Sequence, residues 1–196
     1  MQVIILGAPG CGKGTQSLLI SQKLGLVHLS TGEILRSSVE AKTEFGLRAK
    51  DIMNSGQLIP DEIMIGIIRD ALSKQEMREK GFILDGFPRT INQAVALDVL
   101  FNEFQYKDVK ILNIMADDDI LIKRLMGRGR QDDTIETVTR RLQVYKEQTA
   151  PVNEFYKRKY PVYDIYGVGE IESINKKILE LLQTKDHTKG VSGKNL

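Results

Sequence analysis

Gly7-Ala8-Pro9-Gly10-Cys11-Gly12-Lys13, continued by Gly14 and Thr15, is the stretch on which the reading of this chain turns. It has the spacing G-x-x-x-x-G-K. An apolar run at residues 3–6 precedes it, and a stretch carrying Leu18, Leu19 and Leu24 follows it. The glycines therefore lie between a strand and a helix. Glycine there allows backbone angles and a close approach that a side chain would forbid. Successive N–H groups then face inward at a helix N-terminus, whose dipole adds positive potential, and Lys13 adds a full charge. Such a turn suits an anion of the phosphate kind. A glycine turn without a ligand is the bland alternative, and motif and context together weigh against it.

Outward from this turn, short apolar runs at residues 3–6, 27–29, 82–84, 109–115 and 162–166 alternate with longer stretches of helical spacing. Runs rich in Val, Ile and Leu without clean alternation suit parallel strands covered on both faces. In residues 61–80, Met64, Ile67, Ile68, Ala71 and Leu72 share a helical face; in 134–146, Ile135, Val138, Leu142 and Tyr145 do. Asp117, Asp118 and Asp119 open a further helix running to about residue 126. Carboxylates at such a start cap free N–H groups and meet the positive dipole end, a reading preferred here to a metal site. The whole alternation predicts βαβ units and a parallel sheet.

The 196 residues suit one domain, and 41% hydrophobic with 28% charged residues is ordinary for a chain with a proper core. A net charge of only +2 gives no general polyanion-binding field, so no nucleic-acid partner is expected and the charge that matters is local. Cys11 is the only cysteine, which leaves no internal disulfide and no multi-cysteine zinc site. Met1-Gln2-Val3-Ile4-Ile5-Leu6 runs straight into glycine and reads as a first strand rather than a signal peptide. No run approaches the roughly 18 apolar residues of a membrane span. A cytoplasmic protein without a membrane partner is expected. Residues 185–196 hold two glycines, several lysines and almost nothing apolar, which predicts a loose tail.

Further strings carry chemistry. In Leu84-Asp85-Gly86-Phe87-Pro88-Arg89 an acid ends an apolar run, where it would face the mouth of a parallel sheet beside phosphate and Mg²⁺. Taken alone, Asp85 reads equally well as a turn residue. Gly86 permits close approach, and Arg89 can fork onto a phosphate. In Leu29-Ser30-Thr31-Gly32-Glu33-Ile34-Leu35-Arg36, Ser30 or Thr31 makes an N-cap and Arg36 follows about one turn on; alone, Arg36 reads as a solvated helix face. The Gln93 amide of Thr90-Ile91-Asn92-Gln93 can both donate to and accept from a base edge, or lie idle on the surface. Arg124, Arg128, Arg130, Asp132, Asp133, Arg140 and Arg141 crowd around a glycine-bearing loop. Such density is usually a surface patch. Phosphoryl transfer, however, needs several preorganised guanidiniums and the exclusion of water.

Together these strings resemble the adenylate kinase family of nucleoside monophosphate kinases, from Met1 to about Gln183, with Gly7–Thr15 similar to that branch because the hydroxyl follows Gly14. The resemblance implies a P-loop fold, α/β, with a five-stranded parallel sheet in the order 2-3-1-4-5 and a cis bond before Pro88. It implies Mg-dependent, reversible transfer from ATP to AMP, giving two ADP. ATP would be held by Gly10, Cys11, Gly12, Lys13, Gly14, Thr15, Arg124 and Arg128, with Arg124 covering the base. AMP would be held by Thr31, Gly32, Arg36, Gly86, Arg89, Gln93, Arg130 and Arg141. Lys13, Arg89, Arg128, Arg130 and Arg141 would carry catalysis, Asp132 and Asp133 would position arginines, and Arg140 would be structural. Mg²⁺ would be held by phosphates and waters near Thr15 and Asp85, with no zinc. Thr31 and Gln93 favour AMP; a UMP/CMP kinase and a non-catalytic nucleotide-binding module are the alternatives. A regulatory GTPase would need Asn-Lys-x-Asp, and Asn175-Lys176 continues instead with Lys177 and Ile178.

The expected organisation is a single domain over 1–184, working as a monomer, with a monophosphate-binding arm at about 31–59 and a lid loop at about 127–132. Arg128-Gly129-Arg130-Gln131 stands where relatives carry a longer insertion, which leaves no separate lid domain and implies some leakage to ATP hydrolysis. Cys11 reads as a small residue that fits, with oxidant-sensitive activity the sharper alternative. His28 and His187 receive no catalytic role.

Overall fold

The computed structural model describes residues 1–130 and 132–184, so Gln131 and the tail expected at 185–196 lie outside the described residues. Strands β1 (Gln2–Gly7), β2 (Val27–Ser30), β3 (Phe82–Asp85), β4 (Val109–Met115) and β5 (Val162–Tyr166) form one parallel sheet in the order β2-β3-β1-β4-β5. Helices α1 (Lys13–Leu24), α2 (Thr31–Glu40), α3 (Glu44–Asn54), α4 (Asp61–Leu72), α5 (Gln75–Lys80), α6 (Ile91–Glu103), α7 (Asp118–Gly127), α8 (Ile135–Val144), α9 (Ala150–Lys157) and α10 (Ile171–Gln183) surround it.

Side chains alternate across a strand, and both faces of this sheet are covered, so β1 is apolar throughout its middle. Ile4 and Leu6 join Leu84, Ile111, Met64, Ile68, Leu97 and Phe101 in one core. Val3 and Ile5 join Ile83, Leu112, Ile114, Ile20, Ile174 and Ile178 in the other. From β1 the sheet grows to one side through β3 and β2, and to the other through β4 and β5. That reversal opens a crevice at the carboxyl end of β1, where the Gly7–Lys13 turn begins.

The helical expectations need three corrections. Residues 61–80 form two helices, α4 and α5, rather than one, because Ser73 ends the first turn-by-turn ladder and folds its hydroxyl onto the Asp70 carbonyl (2.9 Å), and Lys74 is extended. The 134–146 pattern stops at Val144, and Tyr145–Thr149 is a π-helical turn whose wider ladder sends the Ala150 N–H to the Tyr145 carbonyl. Pro151, which has no N–H to donate, sits just beyond it at the start of α9. Asp117 does occupy the N-cap position of α7, but its carboxylate caps nothing; it takes the Tyr166 hydroxyl instead, while Asp118 pairs with Lys146.

A buried lysine fastens α10. Lys110 of β4 is 7% exposed, and its ammonium donates to the carbonyls of Leu182 (2.7 Å) and Thr184 (3.1 Å), where the helix's negative dipole end lies. Lys110→Met is expected to cost about 1–3 kcal/mol in urea unfolding, since it strands those carbonyls, while leaving turnover intact. An unchanged unfolding midpoint would show that the contact contributes nothing.

Candidate functional site

The turn after β1 is shaped by glycines where its backbone demands them. Gly7 has φ +138°, and a Cβ there would lie 2.3 Å from the Ile114 carbonyl oxygen and 2.7 Å from Cys11 Sγ. Gly12 stands at the N-terminus of α1 in the left-handed region, and no side chain caps the helix, so its first N–H groups face the cleft. Lys13 folds back over the turn, donating to the carbonyls of Gly7 (2.7 Å) and Ala8 (2.9 Å). Cys11 is 1% exposed and packs in the core with Ile5 and Leu121, while Thr15 is exposed on the first turn of α1.

Across the crevice, β3 ends in Asp85, level with Ile5 in β1 and Ser30 in β2. Its Oδ2 lies 3.8 Å from His28 Nε2 and 3.7 Å from where a Cβ on Gly14 would sit. Burial alone would raise the Asp85 pKa, but His28 and the charges of Lys13 and Arg89 outweigh it and hold the carboxyl below its ordinary range. A pKa depressed by folding stabilises the protein above the unfolded carboxylate value, and that stabilisation is lost as pH falls through the folded value. Asp85→Asn is therefore expected to lose less thermal stability than the unaltered chain between pH ~5 and ~3. Equal losses in the two would contradict this placement of the charge.

Gly86, at φ +85°, lets Thr31 and Arg89 close in: a Cβ there would meet Thr31 Oγ1 at 2.6 Å and Arg89 Nη2 at 3.0 Å. The Phe87–Pro88 bond is cis, as the resemblance implied. Arg89 is anchored twice, its Nε–H donating to the Gly86 carbonyl (2.7 Å) and its own carbonyl accepting from the Thr149 hydroxyl (2.9 Å). Burial lowers the Arg89 pKa, Asp85 raises it, and the neighbouring Arg141 and Arg36 lower it again. Ser30, not Thr31, caps α2, accepting from Glu33 N–H at 3.4 Å; Arg36 lies over Gly32, within 3.2 Å of its Cβ direction. Gln93 is 2% exposed. Its Oε1 accepts from Arg89 N–H (2.7 Å), and its Nε2 donates to Asp61 Oδ1 (2.7 Å).

The arginine-rich segment contributes from the third side. Asp133 binds both Nε and Nη2 of Arg128 and accepts from Arg141 Nη1 at 2.9 Å, and Asp132 takes Arg141 Nη2. Arg141 also reaches the Met53 carbonyl at the end of α3 (3.2 Å). Burial lowers the pKa of Arg130, and the positive charges of Arg128 and Arg36 lower it further, against the opposite pull of Asp133 and Asp132. Arg124 donates to the Gly167 carbonyl (2.9 Å) and lies 3.5 Å from those of Gly10 and Cys11. Arg140 turns away, toward Gln143 and Gly56.

Among the described residues one cleft of about 630 Å³ gathers seven cations (Lys13, Arg36, Arg89, Arg124, Arg128, Arg130, Arg141) against three carboxylates (Glu33, Asp85, Asp132). Mutually repelling guanidiniums in a half-enclosed space call for a multiply charged anion. Thr31, Gln93 and the Gly10–Thr15 turn line it too. Among the described residues no group of three His, Cys, Asp or Glu is placed to hold a metal. One carboxylate and one hydroxyl, Asp85 and Thr15, flank the turn, a hard-oxygen pair that suits Mg²⁺ carried in mainly by phosphates and water. No helix among the described residues is long and apolar enough to cross a membrane.

Some contributors to the site carry little signal in the sequence. Thr149 lies on the π-helical turn, a feature without a sequence signature here, and Asp61, outside the cleft wall, reaches Gln93 across 32 positions. Gly167 had a signal, the Gly-Val-Gly after β5: a Cβ on it would meet the Cys11 carbonyl at 2.6 Å.

A family model described as adenylate kinase matches residues 5–160. The chain is 45% identical to an adenylate kinase of Azobacteroides pseudotrichonymphae, an alignment covering 92% of this chain and 96% of that one. It is 38% identical to an adenylate kinase of Chloroherpeton thalassium, over 93% and 98% of the two chains. To an adenylate kinase 1 of Synechocystis it is 39% identical, over 92% and 96%.

Proposed function

The chain belongs to the adenylate kinase family and is a phosphotransferase, and from that premise we propose how its own residues divide the work. ATP lies on the Gly10–Thr15 turn, with Lys13 leaving its carbonyl contacts for the β- and γ-phosphates and Arg124 and Arg128 flanking the nucleotide. AMP lies opposite, its base beside Thr31 and Gln93, its sugar and phosphate near Gly32 and Gly86, and its phosphate held by Arg36 and Arg89. A phosphate oxygen of AMP forms a bond to the γ-phosphorus of ATP as the bond from that phosphorus to the β–γ bridging oxygen breaks, and an ADP remains on each side. No residue need take a proton, since positioning and charge supply the catalysis. Arg89, Arg130 and Arg141 meet charge that spreads over the moving group, together with Lys13 and Arg128. Mg²⁺, brought with ATP near Thr15 and Asp85, would neutralise phosphate charge.

The observation that supports this most is the concentration of seven cations around a cleft that also holds the glycine turn and the Thr31–Gln93 pair. Residues 31–59 serve as a closing arm and 127–132 as a small lid, within one domain over 1–184 that works as a cytoplasmic monomer, with no nucleic-acid or membrane partner. The test is ADP formation from Mg-ATP with AMP, UMP, CMP and GMP in turn. Rapid turnover with AMP alone is expected. Faster turnover with UMP or CMP would transfer the chain to the pyrimidine-specific reading, and no turnover despite ATP binding would make it a non-catalytic module.

A further inference from the structure

An amide reads a base in one sense only if it cannot turn over. Oxygen and nitrogen of a Gln side chain are nearly the same size, so a free amide can exchange its donor and acceptor ends by rotation about its last bond. Gln93 is held against that exchange from both sides. Arg89 N–H, which can only donate, takes Oε1 at 2.7 Å; the Asp61 carboxylate, which as an anion can only accept, takes Nε2 at 2.7 Å. Asp61 is itself fixed, its Oδ2 accepting from the Thr90 hydroxyl at 2.9 Å, and that hydroxyl in turn caps α6 by accepting from Gln93 N–H at 3.1 Å. Turning the amide over would set two acceptors face to face at Asp61 and two donors face to face at Arg89. Gln93 is 2% exposed, so water could not relieve either conflict cheaply.

We propose that Asp61 is a specificity-determining positioning residue: by locking the Gln93 amide it makes the cleft select a base with an amino group beside a ring acceptor over one with a carbonyl beside a ring N–H. This rests on the assignment of Gln93 to the base of the acceptor. After its two clamps Gln93 has one N–H and one oxygen lone pair left, and Gln93 lines the cleft. In the locked sense these match adenine, whose N6 amino group donates and whose N1 accepts. A 6-oxopurine such as hypoxanthine or guanine presents the reverse order and needs the turned amide. Asp61 stands at the first turn of α4, immediately after the proposed arm ends, and so ties the acceptor's base pocket to the segment about which that arm would move.

The test compares kcat/KM for AMP with that for IMP, which differs only at the 6-position and N1, at saturating Mg-ATP. Asn or Ser at position 61 can donate as well as accept, so either removes the one-sided demand. Asp61→Asn and Asp61→Ser are expected to lower the AMP-to-IMP ratio about tenfold or more, the scale of a single polar contact, chiefly by improving IMP. Thr90→Val, which spares the Asp61–Gln93 contact, is expected to hold the ratio within about threefold. An unchanged ratio in both Asp61 variants, or an equal loss for AMP and IMP, overturns the proposal. Gln93→Leu separates the two levels: if it collapses the ratio while the Asp61 variants do not, only the role of Asp61 fails. If Gln93→Leu leaves the ratio unchanged, the assignment of Gln93 to the base fails with it. Should the Asp61 variants lack a cooperative melt, the order parameter of the Gln93 side-chain amide in the unaltered protein decides, a value as rigid as the backbone supporting the lock and one typical of a free side chain overturning it.

Discussion

Arg89→Lys is expected to lower kcat/KM for AMP by about 10²–10³-fold, the scale on which losing one preorganised donor to developing transition-state charge acts. The charge survives this change, and the geometry does not. Arg89 spends its Nε–H on the Gly86 carbonyl at 2.7 Å, which aims the remaining N–H groups of the fork into the cleft. An ammonium is a point charge that cannot hold the Gly86 carbonyl and two phosphate oxygens at fixed angles. It would also stand, as Arg89 does, beside the positive charges of Arg36 and Arg141. Steady-state kinetics at saturating Mg-ATP check this, and a loss below about threefold would remove Arg89 from the reacting groups. The melting midpoint should stay near that of the unaltered chain, since Arg89 is a cleft residue.

Gly7→Ala is expected to cost about 2–5 kcal/mol of stability, from a strained backbone angle and overpacking together. The added methyl would be driven to 2.3 Å from the Ile114 carbonyl, which is strand backbone in β4 and cannot step aside. Gly12→Ala provides the contrast. Its φ is +105°, but a Cβ there meets nothing within 4 Å, so only the backbone strain remains, about 1–2 kcal/mol. Urea unfolding of both variants checks the pair. Equal destabilisation would mean that the approach of β4 to the turn is not what demands glycine at position 7.

Much of this was open to reading from residues alone, for a physical reason. Buried parallel strands need apolar side chains on both faces, so β1, β3 and β4 announce themselves as Val, Ile and Leu runs, and the glycine turn between strand and helix has a spacing set by its own backbone. The cis bond and sheet order came through family resemblance rather than through any local pattern. What stayed hidden depends on contacts between distant positions. Lys110 looks like an interruption of β4 until the end of α10 is seen above it. Asp61 looks like an ordinary first-turn acid, yet it answers to Thr90 and Gln93. The Asp117 cap failed because Tyr166, from another strand, offered a better partner than the helix's own N–H groups. The break at Ser73 and the π-helical turn at Tyr145–Thr149 leave hydrophobic spacing almost undisturbed, so periodicity ran straight through both.

Phosphorus passes from ATP to the acceptor across the cleft, and the loop proposed to keep it from water is short. The most direct measurement follows ATP labelled at its γ-phosphorus, with Mg²⁺ and with or without AMP, and determines where the label goes. With AMP, nearly all label is expected in the β-position of newly formed ADP. Without AMP, a slow but measurable release of labelled inorganic phosphate is expected, set by incomplete coverage from residues 127–132. Hydrolysis at background would contradict the leak alone. Label appearing chiefly as inorganic phosphate whether or not AMP is present would show that the cleft hydrolyses ATP rather than transferring its phosphoryl group.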